Sequence, residues 1–238
     1  RIKKLLQGTA QLEFWDAYKG EEFTSFLVQA NEVLKSKNSK QTSFEEKKLS
    51  EVEELLGSDS DSIAIESNPL IDLIKPGPAY PGGPIIASFD TKDKNIISQY
   101  LSYPEITSLL LPSQRYVKFL WGIPISVEDG TEIVNLYGLK GNRENKPQLS
   151  GAVITDASQQ FQIDGVTPAV SMQMNSTGAK IWEEMTGNAF TQGSQIAIVL
   201  DDIVYSAPGV TTGPISGGSS EISGSFTIQE AQDLANIL

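Results

Sequence analysis

Carboxylates are almost the only side chains here whose chemistry could be catalytic. The 238 residues contain no histidine and no cysteine, and 30 Asp and Glu face 18 Lys and Arg, for a net charge of −12. Without histidine the chain lacks the commonest general base and a leading zinc ligand. Without cysteine it has no disulfide, thiol nucleophile or thiolate metal site. Histidine-dependent triads and the usual catalytic zinc centres are therefore excluded. A pair of acids could still hydrolyse a glycan.

The acids do not form such a pair by spacing. Asp201 and Asp202 are adjacent, so on a strand they would point to opposite faces. Between two apolar runs they read as a tight turn, because aspartate tolerates positive backbone angles. Asp156 suits a turn or an amide cap, and Glu183 with Glu184 suits the wet side of a helix. The run DSDSIAIE from Asp59 to Glu66 lacks the central glycine and the ligand spacing of a calcium loop. SGGSSEISGS lacks the lysine of a phosphate-binding loop. The expectation is no catalytic residue, no metal and no cofactor, and the net charge argues against nucleic acid.

The elements that would position any site are readable in part. Arg1 to Gln7 is the remnant of a helix ended by Gly8, and Thr9 to Trp15 is strand-like. Phe23, Phe26, Leu27, Ala30 and Leu34 make a buried helical stripe over 21–35. Ser43 and Glu46 form a capping box for a second helix that Gly57 stops. Between Ser43 and Glu66 eight acidic and two basic side chains supply six of the twelve net negative charges, which predicts a solvated helix and acidic loop. Five prolines and three glycines from Asn68 to Pro84 mark a linker.

Beyond it, Ile85 to Phe89, a helix over 92–111 interrupted at Pro104, Tyr116 to Ile123, and Thr131 to Leu139 after an Asp129-Gly130 turn give β-α-β-β. Ala169 to Met174, a helix from Ser176 to Met185, and the hairpin from Gln195 to Ser206 give the same order, a candidate pseudo-repeat. Glu221 to Phe226 then reads as a strand. Thr227 and Glu230 cap a final helix whose face is Ile228, Ala231, Leu234, Ala235 and Leu238. No run of about 18 apolar residues exists to span a bilayer, and no signal peptide is recognisable. Helical patterns at Arg1 and Leu238 lead to the expectation of a longer parent.

Four segments carry a family resemblance: ITDA at Ile154 to Ala157, GAKIWEEMT from Gly178 to Thr186, IAIVLDDIVYSAP from Ile196 to Pro208, and ISGGSSEISGSFTIQEAQDLANIL from Ile215 to Leu238. With RIKKLLQGTAQLEFW from Arg1 to Trp15, they resemble the first large extracytoplasmic domain of the SecD family, between its first two membrane helices. Residues from Gly20 to about Asn145 resemble the subgroup in which SecD and SecF are fused. Asp202 departs from the glycine common in that family's turn.

The resemblance implies an α+β protein with a discontinuous ferredoxin-like base lobe, 1–20 and 215–238, and an inserted α+β head with mixed or antiparallel sheets. The subgroup insertion would be 21–146 and the head 147–214. It implies no enzyme but a periplasmic accessory of the Sec translocon. Its partners would be unfolded translocating preprotein, and the SecF portion and SecYEG channel through the whole parent, at the inner membrane of a Gram-negative bacterium.

In the family, head and base change orientation as proton flow drives capture and release. A pivot is expected where small residues join the lobes, at Asp16, Ala17 and Gly20 and at Gly213, Pro214, Gly217 and Gly218. Met172, Met174 and Trp182 are candidate polypeptide contacts. The competing readings are a carboxylate-dependent periplasmic hydrolase and a purely structural docking domain.

Overall fold

The computed structural model describes residues 11–53, 67–127, 130–162, 164–223 and 227–237, with side chains on the first helix described to 38. The expected terminal helix to Gln7, the stop at Gly57, the acidic run at Asp59 to Glu66 and Asp129 lie outside them. The fold is α+β with two sheets, one mixed and one antiparallel.

The larger sheet has nine strands. They are β1 (Leu12–Asp16), β2 (Ile74–Lys75), β3 (Ile85–Asp90), β4 (Lys118–Gly122), β5 (Ile125–Ser126), β6 (Glu132–Leu139), β7 (Leu149–Ser150), β10 (Ile196–Leu200) and β11 (Ile203–Ser206). Their order is β2-β3-β6-β4-β11-β10-β1-β7, with β5 on β6. β11 runs parallel to β4, which makes the sheet mixed. The smaller sheet has three strands, β8 (Ile154–Phe161), β9 (Pro168–Met174) and β12 (Ser219–Ser223), in the order β12-β9-β8.

The large sheet closes on itself. Past β1 the chain turns its edge to the end of β6: Lys140 N donates to Asp16 O at 2.7 Å, Tyr18 N donates to Gly138 O at 2.9 Å, and Ala17 bridges Leu139. β1, β10, β11, β4 and β6 thus form a ring of strands. Trp15, Ala17, Leu120, Tyr137, Leu139, Ala197, Val199 and Val204 pack together inside it. Alternation puts every second residue of these strands inward, and a small barrel is filled by such side chains. Gly122 leaves room for Tyr137, whose ring would lie 3.0 Å from an added Cβ.

Outward-facing residues of the ring seed two further cores. Phe14, Ile196, Ile198 and Leu200 pack with α4 (Ser176–Gln192), the small sheet and α5 (Ile228–Ile237). Trp121, Val134 and Leu136 pack with α1 (Thr24–Glu53), α2 (Lys94–Leu101) and α3 (Pro104–Thr107). The Phe23 to Leu34 stripe of the first helix is buried as its spacing predicts. Asn31, also buried, accepts from Leu70 N at 3.1 Å and Ile71 N at 3.3 Å, pinning the proline-rich linker to α1.

Four expectations change. One helix runs from Thr24 through Ser43 to Glu53, so no new helix begins at the Ser43 capping box. α4 runs to Gln192, past Met185, and ends where Gly193 turns left-handed at φ 59. β9 belongs to the small sheet while β10 and β11 belong to the ring, so the pseudo-repeat does not persist as one sheet unit. β1 and β12, expected together in a ferredoxin-like base, lie in different sheets because β1 hydrogen-bonds to β10 and β7, and β12 to β9.

Candidate functional site

The small sheet has one covered face and one long open edge. Val170 and Met172 of β9 align with Ile222 and Ser220 of β12, and this side packs under Ala231, Leu234 and Ala235 of α5. The opposite face aligns Ser171 and Gln173 with Ser158 and Asp156 on one side and Glu221 and Ser219 on the other. Among the described residues β8 pairs with β9 alone, so none of them adds a strand to its other edge.

Edge strands usually resist unwanted pairing with lysine, proline or a bulge. In β8, ITDASQQF, there is no lysine or proline, Asp156 is the one charged side chain, and the bulge is confined to Ile154/Asp156. At the hairpin tip beside it Phe161 is 45% and Val166 76% exposed. Asp164 accepts from Val166 N and Thr167 N, both at 2.9 Å, which shapes the turn that presents them. Hydrogen bonds from Thr167 and Val166 hold the exposed Asp164 carboxyl below its ordinary pKa. Eight residues of open main chain with apolar groups at one end suit an extended polypeptide of varied sequence.

The expected contact residues are elsewhere. Met172 is 1%, Met174 4% and Trp182 6% exposed. Their place in the core follows from the strand alternation and from Trp182 packing edge-on to Phe14 at 5.3 Å. They support the sheet from beneath.

The expected pivot residues divide. Ala17 N donates to Gln195 O at 2.9 Å and Gly20 N to Gly83 O at 2.8 Å. An added Cβ on Gly20 would meet Ile85 O at 1.8 Å. Asp16 and Ala17 are thus fastened on both edges, and Gly20 is held on one and tightly packed. Burial pushes the Asp16 carboxyl above its ordinary pKa, against the smaller pull of Lys140. In the second connection Gly213, Gly217 and Gly218 have φ of 96, 82 and 74, where glycine is favoured. It also touches α4: Ile215 N donates to the buried Thr186 Oγ1 at 2.9 Å, and Pro214 lies 3.2 Å from where a Gly187 Cβ would be.

Asp201 and Asp202 form the hairpin turn at φ 48 and 61. Lys118 Nζ of β4 lies 2.7 Å from Asp202 Oδ1 and 3.8 Å from Glu13 Oε2. Glu13 also accepts from Trp15 Nε1 at 2.8 Å. Asp202 thus ties the hairpin to the strand beside it, which accounts for an acid where glycine would fit. Glu183 and Glu184 border a shallow groove with Lys180, Asn188 and Pro214. As neighbours on one helix they do not face each other across it. Among the described residues no three potential ligands form a metal cluster.

Known proteins resemble this chain in sequence. Residues 137–238 match the family model described as SecDF, P1 head subdomain. The chain is 34% identical over 245 residues to the protein translocase subunit SecD of Rhodothermus marinus, covering 100% of this chain and 37% of that one. It is 44% identical over 90 residues to the SecD of Calditerrivibrio nitroreducens, covering 38% of this chain and 17% of the relative. A solved structure described as a membrane component SecDF that enhances protein export aligns with a TM-score of 0.35 at 25% identity, over 63% of this chain and 68% of that one. The chain therefore spans about a third of the Rhodothermus relative's length. Residues 137–238 carry the P1 head of the SecDF family, and the chain along its whole length is similar to a SecD subunit.

No helix among the described residues is long and apolar enough to cross a membrane. The sequence reading missed β8, the element that forms the open edge. Its ITDA segment stands out in the sequence only as a motif.

Proposed function

We propose that the chain serves protein export by holding unfolded preprotein emerging from the Sec channel, through strand addition along β8. The observation that carries this reading is the eight-residue edge, unpaired among the described residues, with Phe161 and Val166 exposed beside it. Main-chain hydrogen bonds are indifferent to side-chain identity, which suits clients of every sequence. Few large apolar groups lie at the edge, so contact is weak and release is fast.

In the parent protein, at the periplasmic face of the inner membrane of a Gram-negative bacterium, proton flow through membrane helices supplies the energy. The partners there are the SecF portion and the SecYEG channel. The fastened segment from Asp16 to Gly20 favours movement of the ring as one body. Gly213, Gly217 and Gly218 are the proposed pivot between the ring and the sheet that carries β8. The functional head on this reading includes β12 and α5, since they share a core with β9.

Nuclear magnetic resonance titration tests the edge. An eight-residue peptide of alternating Thr and Val is expected to shift amides of residues 154–161 first. Shifts confined to other strands, or none at millimolar peptide, contradict strand addition.

A further inference from the structure

A groove formed by α2, α3, β4 and the segment joining α3 to β4 has a composition suited to binding. It encloses about 530 Å³, within the range of ligand sites. Leu101, Leu110, Val117, Phe119 and Trp121 supply an apolar floor, and Ser98, Ser102, Thr107, Ser108 and Arg115 supply its polar atoms.

The hydroxyls have a defined polarity. Ser102 donates to Gln99 O at 2.7 Å, Thr107 to Pro104 O at 3.1 Å and Ser108 to Glu105 O at 2.8 Å. Each has therefore used its one hydrogen and offers only lone pairs to a ligand. Arg115 is the one charged lining residue, in a chain of net charge −12. It stacks on Tyr116 at 4.5 Å, and among the described residues no carboxylate pairs with it. A complementary ligand supplies several N–H donors, apolar bulk and one carboxylate. Extended peptide has all three, whereas a fatty acid has no donor.

We propose that this groove is a second polypeptide-docking site, selecting a short apolar segment that carries an acidic residue. The inference rests on the client being unfolded polypeptide, as in the proposed function. β8 would then hold main chain without regard to sequence, and the groove would prefer particular segments.

The test is fluorescence anisotropy of a fluorescein-labelled peptide, Ala-Leu-Phe-Asp-Ala, added to the 238-residue chain. Arg115→Glu is expected to weaken binding at least tenfold, and replacing the peptide's Asp by Lys to do the same. Combining the two changes restores affinity to within about threefold of the original. Ser102→Trp, which fills the groove, removes the tight component of binding and leaves only the weak component along β8, and circular dichroism checks that both variants fold. The double variant Gln159→Lys with Phe161→Lys, which blunts β8, leaves groove affinity unchanged, so loss at one site is separable from loss at the other. Unaltered affinity in Arg115→Glu overturns the proposal, as does the absence of peptide binding or binding of dodecanoate in place of peptide.

Discussion

The main-chain oxygen of Asp16 accepts the amide of Lys140 at 2.7 Å, and with the Ala17–Leu139 bridge beside it this bond joins β1 to β6 and closes the strand ring. Residues near the two ends of the first 140 are thereby fixed against each other. A segment that reads as a flexible joint from its sequence is a seam of the barrel.

Hydrogen exchange distinguishes a seam from a joint. The amides of Tyr18 and Lys140 are expected to exchange as slowly as those of β10, opening only with global unfolding. Exchange at the rate of surface loops would contradict closure of the ring.

Gly20 is the tightest point of that seam. Gly20→Ala drives a methyl to 1.8 Å from Ile85 O, against backbone that has no room to yield. The expected loss is about 3 kcal/mol or more. Gly165→Ala, at φ 71 with open space around it, should lose only about 1 kcal/mol, the cost of the left-handed conformation. Urea denaturation of the two variants checks the contrast.

Lys118 and Asp202 are unequal partners. Lys118 lies 18% and Glu13 10% exposed at their side chains, so Lys118→Met strands a buried carboxylate at an expected cost of about 1–3 kcal/mol. The Asp202 side chain is 72% exposed. Asp202→Gly gives up a screened ion pair but relieves a left-handed residue, and should change stability by less than about 1 kcal/mol. Equal losses would place the interaction in the turn and remove Glu13 from it.

Asp16 predicts a pH dependence. Burial raises its folded pKa above the ordinary 3.8, so the folded state holds that proton more tightly than the unfolded chain does. Its contribution is fully present below pH 3.8 and is lost as pH rises through the folded value. Relative to the parent, Asp16→Asn should gain stability between mildly acidic and neutral pH and show little difference below 3.8. Denaturation midpoints of both proteins across that range are the measurement; a difference independent of pH contradicts the assignment.

Local pattern carried much of the fold. The Asp201-Asp202 hairpin, the α1 stripe, the helix start at Ser176 and the Thr227 helix start depend on neighbours in sequence, so periodicity and turn chemistry reveal them. Closure of the ring pairs residue 17 with 139 and residue 203 with 121, and no local signal encodes such registers. β8 escaped for another reason. An edge strand with a wet face needs little apolar content, and ITDASQQF lacks the clear alternation that identifies a half-buried strand. Met172 and Met174 were legible as an alternating pair, but alternation does not say whether the covered side meets a client or α5. The Arg115 groove arises from helices and a strand that meet only in the folded chain.

On the proposed function, β8 takes hold of a moving client. Photocrosslinkers placed singly at Ser158, Gln160 and Tyr80 of the whole membrane-embedded parent, during export of a stalled preprotein in vesicles, test it most directly. Capture predicts preprotein adducts from Ser158 and Gln160 and none from Tyr80. Adducts from Ser158 and Gln160 only with stationary translocon subunits, or no adducts at all, would contradict it.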